Sequence, residues 1–318
     1  MVDLSKELIQ VIKEATPSGS TLVDTLTDII PMSKEAAYRR LRGEINFTCD
    51  EAVKIVTKFN VSLDCLIASS QEDRYSVQMT CVGETSTDLY RSSFNEIIAI
   101  LKKLKTCSNP FISISTNMFI PLSYTYKYET ISKFRMYIST LRWDDNHVPT
   151  KMHETDSPPG FIELENELFR ELTSIPTNYI CTPELVQAYV RDIKHCQKIN
   201  LITDEEVLKM KNETFCLLDD MERDATRGKN HNNVPFYMYL NKASFDTTTY
   251  MYYSSDEYEI VSMRLFGVGF YFFKDIRIIN QMKYLKNALI KNSTLISVSG
   301  EKQRIEFFRN QRMLVDTL

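Results

Sequence analysis

Apolar residues recur at helical spacing from the start of the chain. Leu4, Leu8, Ile9, Val11 and Ile12 predict a helix over 4–15, and Thr16-Pro17-Ser18-Gly19-Ser20 breaks it. Leu22, Leu26, Ile29 and Ile30 predict a second helix over Thr21–Ile30. Pro31 cannot continue it and biases Ile30 away from the helical region. Ser33 to Gly43 then reads as a short helix. Ser33 is a good N-cap, Glu35 sits in the first turn where the helix dipole favours an anion, and Ala37 and Leu41 form a narrow apolar stripe. Thr48-Cys49-Asp50-Glu51 is a capping box, followed by a face of Ala52, Val53, Val56 and Phe59, and Ser62–Leu66 opens one more short helix.

Ser69-Ser70-Gln71-Glu72-Asp73 has linker composition. Beyond it, Arg74–Val82 reads as a strand or extended link, and Phe111–Ser115 is ambiguous. Helices are expected over Leu89–Leu104, Tyr124–Leu141, Phe161–Ile175, Thr182–Lys198 and Thr203–Arg227. Residues 144–160 form a polar loop, and Gly228-Lys229-Asn230-His231-Asn232-Asn233 is the next break. After Pro235 the period changes from helical to alternating. Phe236–Leu240, Thr247–Ser254, Tyr258–Leu265 and Val268–Phe273 look like strands of an antiparallel meander rich in Tyr and Phe. A helix over Asp275–Lys291, a short strand over Thr294–Val298 and a closing helix from Gly300 complete the pattern.

Composition changes this picture little. The chain has 318 residues, 43% of them hydrophobic, enough for more than one packed core. No apolar run is long enough to span a membrane. The first residues lack a signal peptide's basic start, and the seven cysteines are scattered without a C-x-x-C pair. Reduced thiols and a cytoplasmic location are therefore expected.

Charge does sharpen it. The net charge is −4, and residues 1–70 carry eight Lys/Arg against ten Asp/Glu. Yet Lys34 to Arg42 holds four cations and only Glu35. Lys34, Tyr38 and Arg42 lie in one i, i+4, i+8 row, with Glu35 and Arg39 beside them. The residues placed to meet a polyanion, and DNA if the resemblance below holds, are thus Lys34, Glu35, Tyr38, Arg39 and Arg42. Their attraction to a polyanion would be local and strongly salt-dependent.

The stretch Thr21–Leu66 resembles the helix-turn-helix of lambda-repressor-like (Xre-type) transcriptional regulators. The resemblance rests on Ile30-Pro31-Met32-Ser33 in place of the family's apolar-Gly-apolar-Ser turn, on Ala37, Tyr38, Arg39 and Gly43, and on the helices from Thr48 and Ser62. It implies a five-helix domain that binds double-stranded DNA; because one short recognition helix with a local charge of only +3 reads few base pairs, a homodimer is expected. Pro31 departs from the family's glycine: proline cannot adopt φ > 0, so another turn geometry is expected.

Other chemistry is sparse. None of His147, His153, His195 and His231 sits in a zinc-type spacing, and no nucleophile elbow, Walker or Rossmann sequence occurs. His147, His153, Glu154 and Asp156 share one loop, but a solvated loop is the simpler reading. Gly267-Val268-Gly269 reads as a hairpin turn. Ser297–Arg304 could hold an anion at a helix N-terminus, although an ordinary capped helix start explains it as well. No cofactor, no metal and no catalytic constellation are expected.

The expected fold is multidomain: an all-α helix-turn-helix over 1–70, a mainly helical region over 71–228, and an α+β region with an antiparallel sheet over 229–318. The expected function is sequence-specific transcription regulation, with the last region sensing a small-molecule ligand or oligomerising. The alternative is a protein-interaction adaptor that uses the helical bundle without DNA.

Overall fold

The structure, a computed structural model, describes residues 3–17, 19–59, 61, 63, 66, 78–79, 85–116, 127–143, 150–242, 249–265 and 269–318. The chain divides into two units, Met1–Ser76 and Val77–Leu318.

The first unit is helical. α1 (Leu4–Ala15), α2 (Leu22–Ile29), α3 (Lys34–Leu41) and α4 (Cys49–Phe59) begin at capping side chains, because the first N–H groups of a helix have no partner inside it. Thr21 Oγ1 accepts from the Asp24 N–H at 3.1 Å, and Ser33 Oγ accepts from the Ala36 N–H at 3.2 Å. Leu8, Ile12, Val23, Leu26, Ile30, Ala37, Ile55 and Val56 close the core between the helices. Much of the expected Ser62–Leu66 helix and the whole Ser69–Asp73 linker lie outside the described residues.

The second unit is built on one eight-stranded sheet in the order β1-β7-β6-β5-β2-β3-β4-β8. The strands are β1 (Gln78–Met79), β2 (Phe111–Thr116), β3 (Thr177–Cys181), β4 (Phe236–Asn241), β5 (Tyr250–Ser254), β6 (Glu259–Leu265), β7 (Gly269–Phe273) and β8 (Ser293–Leu295). α5 (Ser86–Lys105) precedes β2, while α6 (Glu129–Trp143) and α7 (Phe161–Leu172) connect β2 to β3. α8 (Gln187–Lys198) and α9 (Asp204–Arg227) connect β3 to β4, α10 (Ile276–Lys291) follows β7, and α11 (Glu301–Asp316) closes the chain. Ile112, Ile114, Tyr179, Phe236, Met238, Met251 and Tyr253 face one large core with α5–α9 and α11. On the opposite face, α10 sets Ile279 and Met282 against Tyr252, Val261 and Phe273.

Two expectations are corrected here. The strands of 229–318 pair antiparallel with one another as expected (β5–β6, β6–β7 and β4–β8), but they belong to a larger mixed sheet in which β2 pairs parallel with β3, and β3 with β4, so β4 is not part of the meander. The break at Gly228 is not a boundary between separate regions 71–228 and 229–318, since β4 beyond it hydrogen-bonds to β3 before it. Parallel neighbours need long crossover connections, and the α6–α7 and α8–α9 pairs are those crossovers. The sequence pattern missed β3, left β2 ambiguous, and placed the start of α8 at Thr182, where residues 183–186 form turns instead. The expected helix start at Tyr124 and the glycine pair's Gly267 lie outside the described residues.

Candidate nucleic-acid interface

The α2–α3 connection fixes how α3 is presented. Ile30 is extended (φ −124°, ψ 118°), as a residue before proline prefers. Ser33 is extended as well, and neither Pro31 nor Met32 has positive φ, so the turn uses no left-handed residue. Ala37 is fully buried and Leu41 packs on the same core, which orients the rest of the helix outward.

Lys34, Glu35, Tyr38, Arg39 and Arg42 are all exposed, with Tyr38 at 50% relative exposure. The Arg42 guanidinium sits 5.8 Å from the centre of the Tyr38 ring. Arg40 turns the other way. It pairs with Glu51 on α4 at 2.8 Å, and both side chains are largely buried. The Glu51 carboxylate also accepts the Thr48 N–H at 2.9 Å, so it ties α3 to the cap of α4.

The exposed cations have partners that the sequence pattern did not single out. Lys34 Nζ lies 3.1 Å from Asp24 on α2. The Thr21 hydroxyl and then Lys34 hold the Asp24 carboxyl below its usual value. Arg39 and Arg42 both reach Glu44, at 3.5 and 3.7 Å. Helix termination places Glu44 there. Gly43 takes the left-handed conformation (φ +76°), and the Glu44 N–H donates back to the Arg39 carbonyl at 2.9 Å. The four cations of Lys34–Arg42 therefore face Asp24, Glu44 and Glu51. Proximity in sequence was the available signal for Glu44; nothing local marks Asp24 or Glu51 as partners. The exposed pairs at Lys34, Arg39 and Arg42 are screened by solvent and weak, so a phosphate can displace them.

In the second unit a cleft of about 220 Å³ opens beside α6 and α7. Buried Ser132 and Glu165 line it, with Met136, Phe161 and Ile162 as apolar wall and Lys133 among its polar lining. The Glu165 charge is compensated by Arg135, and the Ser132 hydroxyl donates to the same carboxylate. Among the described residues, no group of three or more His, Cys, Asp and Glu could hold a metal ion, and no helix is long and apolar enough to cross a membrane.

No family model, curated protein or solved structure matches this chain.

Proposed function

We propose that the chain is a sequence-specific DNA-binding regulator that acts as a homodimer, with α3 as its recognition helix. One observation carries the reading. A capped helix, anchored through Ala37 and the Arg40–Glu51 pair, presents Lys34, Glu35, Tyr38, Arg39 and Arg42 outward on one short element. Arg39 is the residue for a bidentate contact to a guanine edge, while Lys34 and Arg42 hold phosphates. One eight-residue helix reads few base pairs, so two copies about 34 Å apart are needed for a specific site. The second unit senses or oligomerises, and its Lys133-lined cleft is the place for a small ligand. A selection from random duplexes followed by gel shift at low and moderate salt tests the reading. An enriched motif with steep salt dependence supports it, and binding to no duplex refutes it.

A second reading has its own observation. Every Lys and Arg of Lys34–Arg42 faces a carboxylate, which suits a protein-binding bundle better than a phosphate-binding one. Capture of a protein partner that is lost on Tyr38→Ala, with no duplex bound, would select it.

A further inference from the structure

The outer face of α11 carries a pattern that neither the core nor the cleft uses. Its inner face is pinned. Phe307 and Phe308 are buried, Gln311 donates to the Pro183 carbonyl at 2.9 Å and accepts the Val186 N–H at 3.1 Å, and Arg304 donates to the Ile296 carbonyl at 2.9 Å. The opposite face is a shallow open groove between two ridges at i, i+4 spacing, lined by Glu301, Lys302, Ile305, Glu306 and Arg309. Ile305 is 52% exposed at its centre and Met313 63% exposed beyond it. Glu301, Lys302, Glu306 and Arg309 are exposed, and among the described residues none of them enters an ion pair.

We infer that this groove is the interface with a second copy of the chain, in which two α11 helices pack antiparallel about a two-fold axis at Ile305. The charge order specifies both the occupant and the orientation. Glu301 and Arg309 lie four residues on either side of Ile305, so an antiparallel copy sets Glu301 against Arg309 of the partner subunit, and Arg309 against Glu301 of the partner subunit. Lys302 meets Glu306 of the partner subunit in nearly the same register. A parallel copy would set each charge against its like. The two-fold makes the patch self-complementary, as an isologous dimer requires. The i, i+4 ridges of one helix enter the groove of the other, as helix pairs pack. Met313 then extends toward the exposed Val298 of the partner subunit. The contact is small, so the dimer is weak, with a Kd on the order of 10 µM. It supplies the dimer on which the proposed DNA reading rests, but it forms without DNA.

Sedimentation of the full chain without DNA, from 1 to about 200 µM, is the test. The wild type is expected to show a concentration-dependent monomer–dimer equilibrium. Ile305→Asp should weaken it at least about tenfold. A cationic variant (Glu301→Arg with Glu306→Lys) and an anionic one (Lys302→Glu with Arg309→Glu) should each be monomeric, and should form a heterodimer when mixed. Exchanging the pair (Glu301→Arg with Arg309→Glu) should keep the homodimer, because the pattern is preserved. A wild type that stays monomeric, or a dimer unaffected by Ile305→Asp and by both charge variants, overturns the inference. No residue of α3 is touched, so failure of DNA binding in the wild type is a separate result.

Discussion

Arg40 on α3 and Glu51 on α4 form a two-pronged pair, Nη2 to Oε1 at 2.8 Å and Nε to Oε2 at 3.0 Å, with little exposure on either side. Its planar geometry uses what distinguishes arginine from lysine. The consequence is that one cation in a row of four holds the bundle together while the other three face outward.

Arg40→Ala should therefore destabilise the first unit by about 2 kcal/mol, between an exposed and a fully buried pair. Burial pushes the Glu51 carboxyl up, but hydrogen bonds from Arg40 and the Thr48 N–H outweigh it and leave the group below its usual value. A depressed acid stabilises fully above the unfolded value, near about 4.3, and that contribution is lost as pH falls through the lower folded value. Urea titrations of the full chain between pH 3 and 7, followed at the Ile55 methyls, should show this loss. Glu51→Gln should flatten it.

Glu44 pairs with both Arg39 and Arg42, so on the proposed DNA-binding reading its carboxylate would compete with phosphate for them. Glu44→Gln should tighten duplex binding about three- to tenfold at low salt and steepen the salt dependence, since two more charges are free for phosphate. Arg39→Ala should relax base preference at one position, at a cost of about 1–3 kcal/mol. Lys34→Ala should weaken all duplexes alike. Fluorescence anisotropy across a salt series separates these outcomes. A Glu44→Gln variant that binds no tighter would mean that the two arginines do not meet DNA.

Arg135 and Glu165 are a buried ion pair, with the guanidinium 5.6 Å from the Phe94 ring centre and 5.9 Å from that of Tyr90. Glu165→Ala leaves a buried charge uncompensated and should cost about 3–5 kcal/mol. Replacing both partners together, Arg135→Met with Glu165→Leu, should cost less than removing Glu165 alone. Denaturation followed by far-UV circular dichroism gives the comparison.

Two left-handed glycines should respond differently to a side chain. At Gly43 (φ +76°) a Cβ meets nothing within 4 Å, so Gly43→Ala should cost only the backbone strain, about 1 kcal/mol. At Gly300 (φ +66°) a Cβ would come within 2.5 Å of the Leu295 carbonyl oxygen, and backbone cannot swing aside as a side chain can. Gly300→Ala should cost clearly more and loosen the β8–α11 junction. Equal melting-temperature losses for the two variants would contradict this.

What the sequence determined by itself was the local part. Helix periods, the caps at Thr21, Ser33 and Thr48 and the stop at Gly43 act within a few residues, so α1–α4 and the exposed α3 face could be read from spacing alone. The strands β4–β7 were legible because Tyr, Phe, Met and Val are concentrated in short runs there. Only tertiary structure decided the rest. β2 and β3 are five or six residues long and largely buried on both faces; β2 alternates only over Ile112-Ser113-Ile114-Ser115, β3 shows no alternation, and both declare themselves only by pairing. That pairing joined two expected regions into one sheet. Likewise, the row of cations was visible in the sequence, but which carboxylate meets each one depends on where α2, α4 and the turn after Gly43 bring their chains, and no spacing rule encodes a distance across a fold.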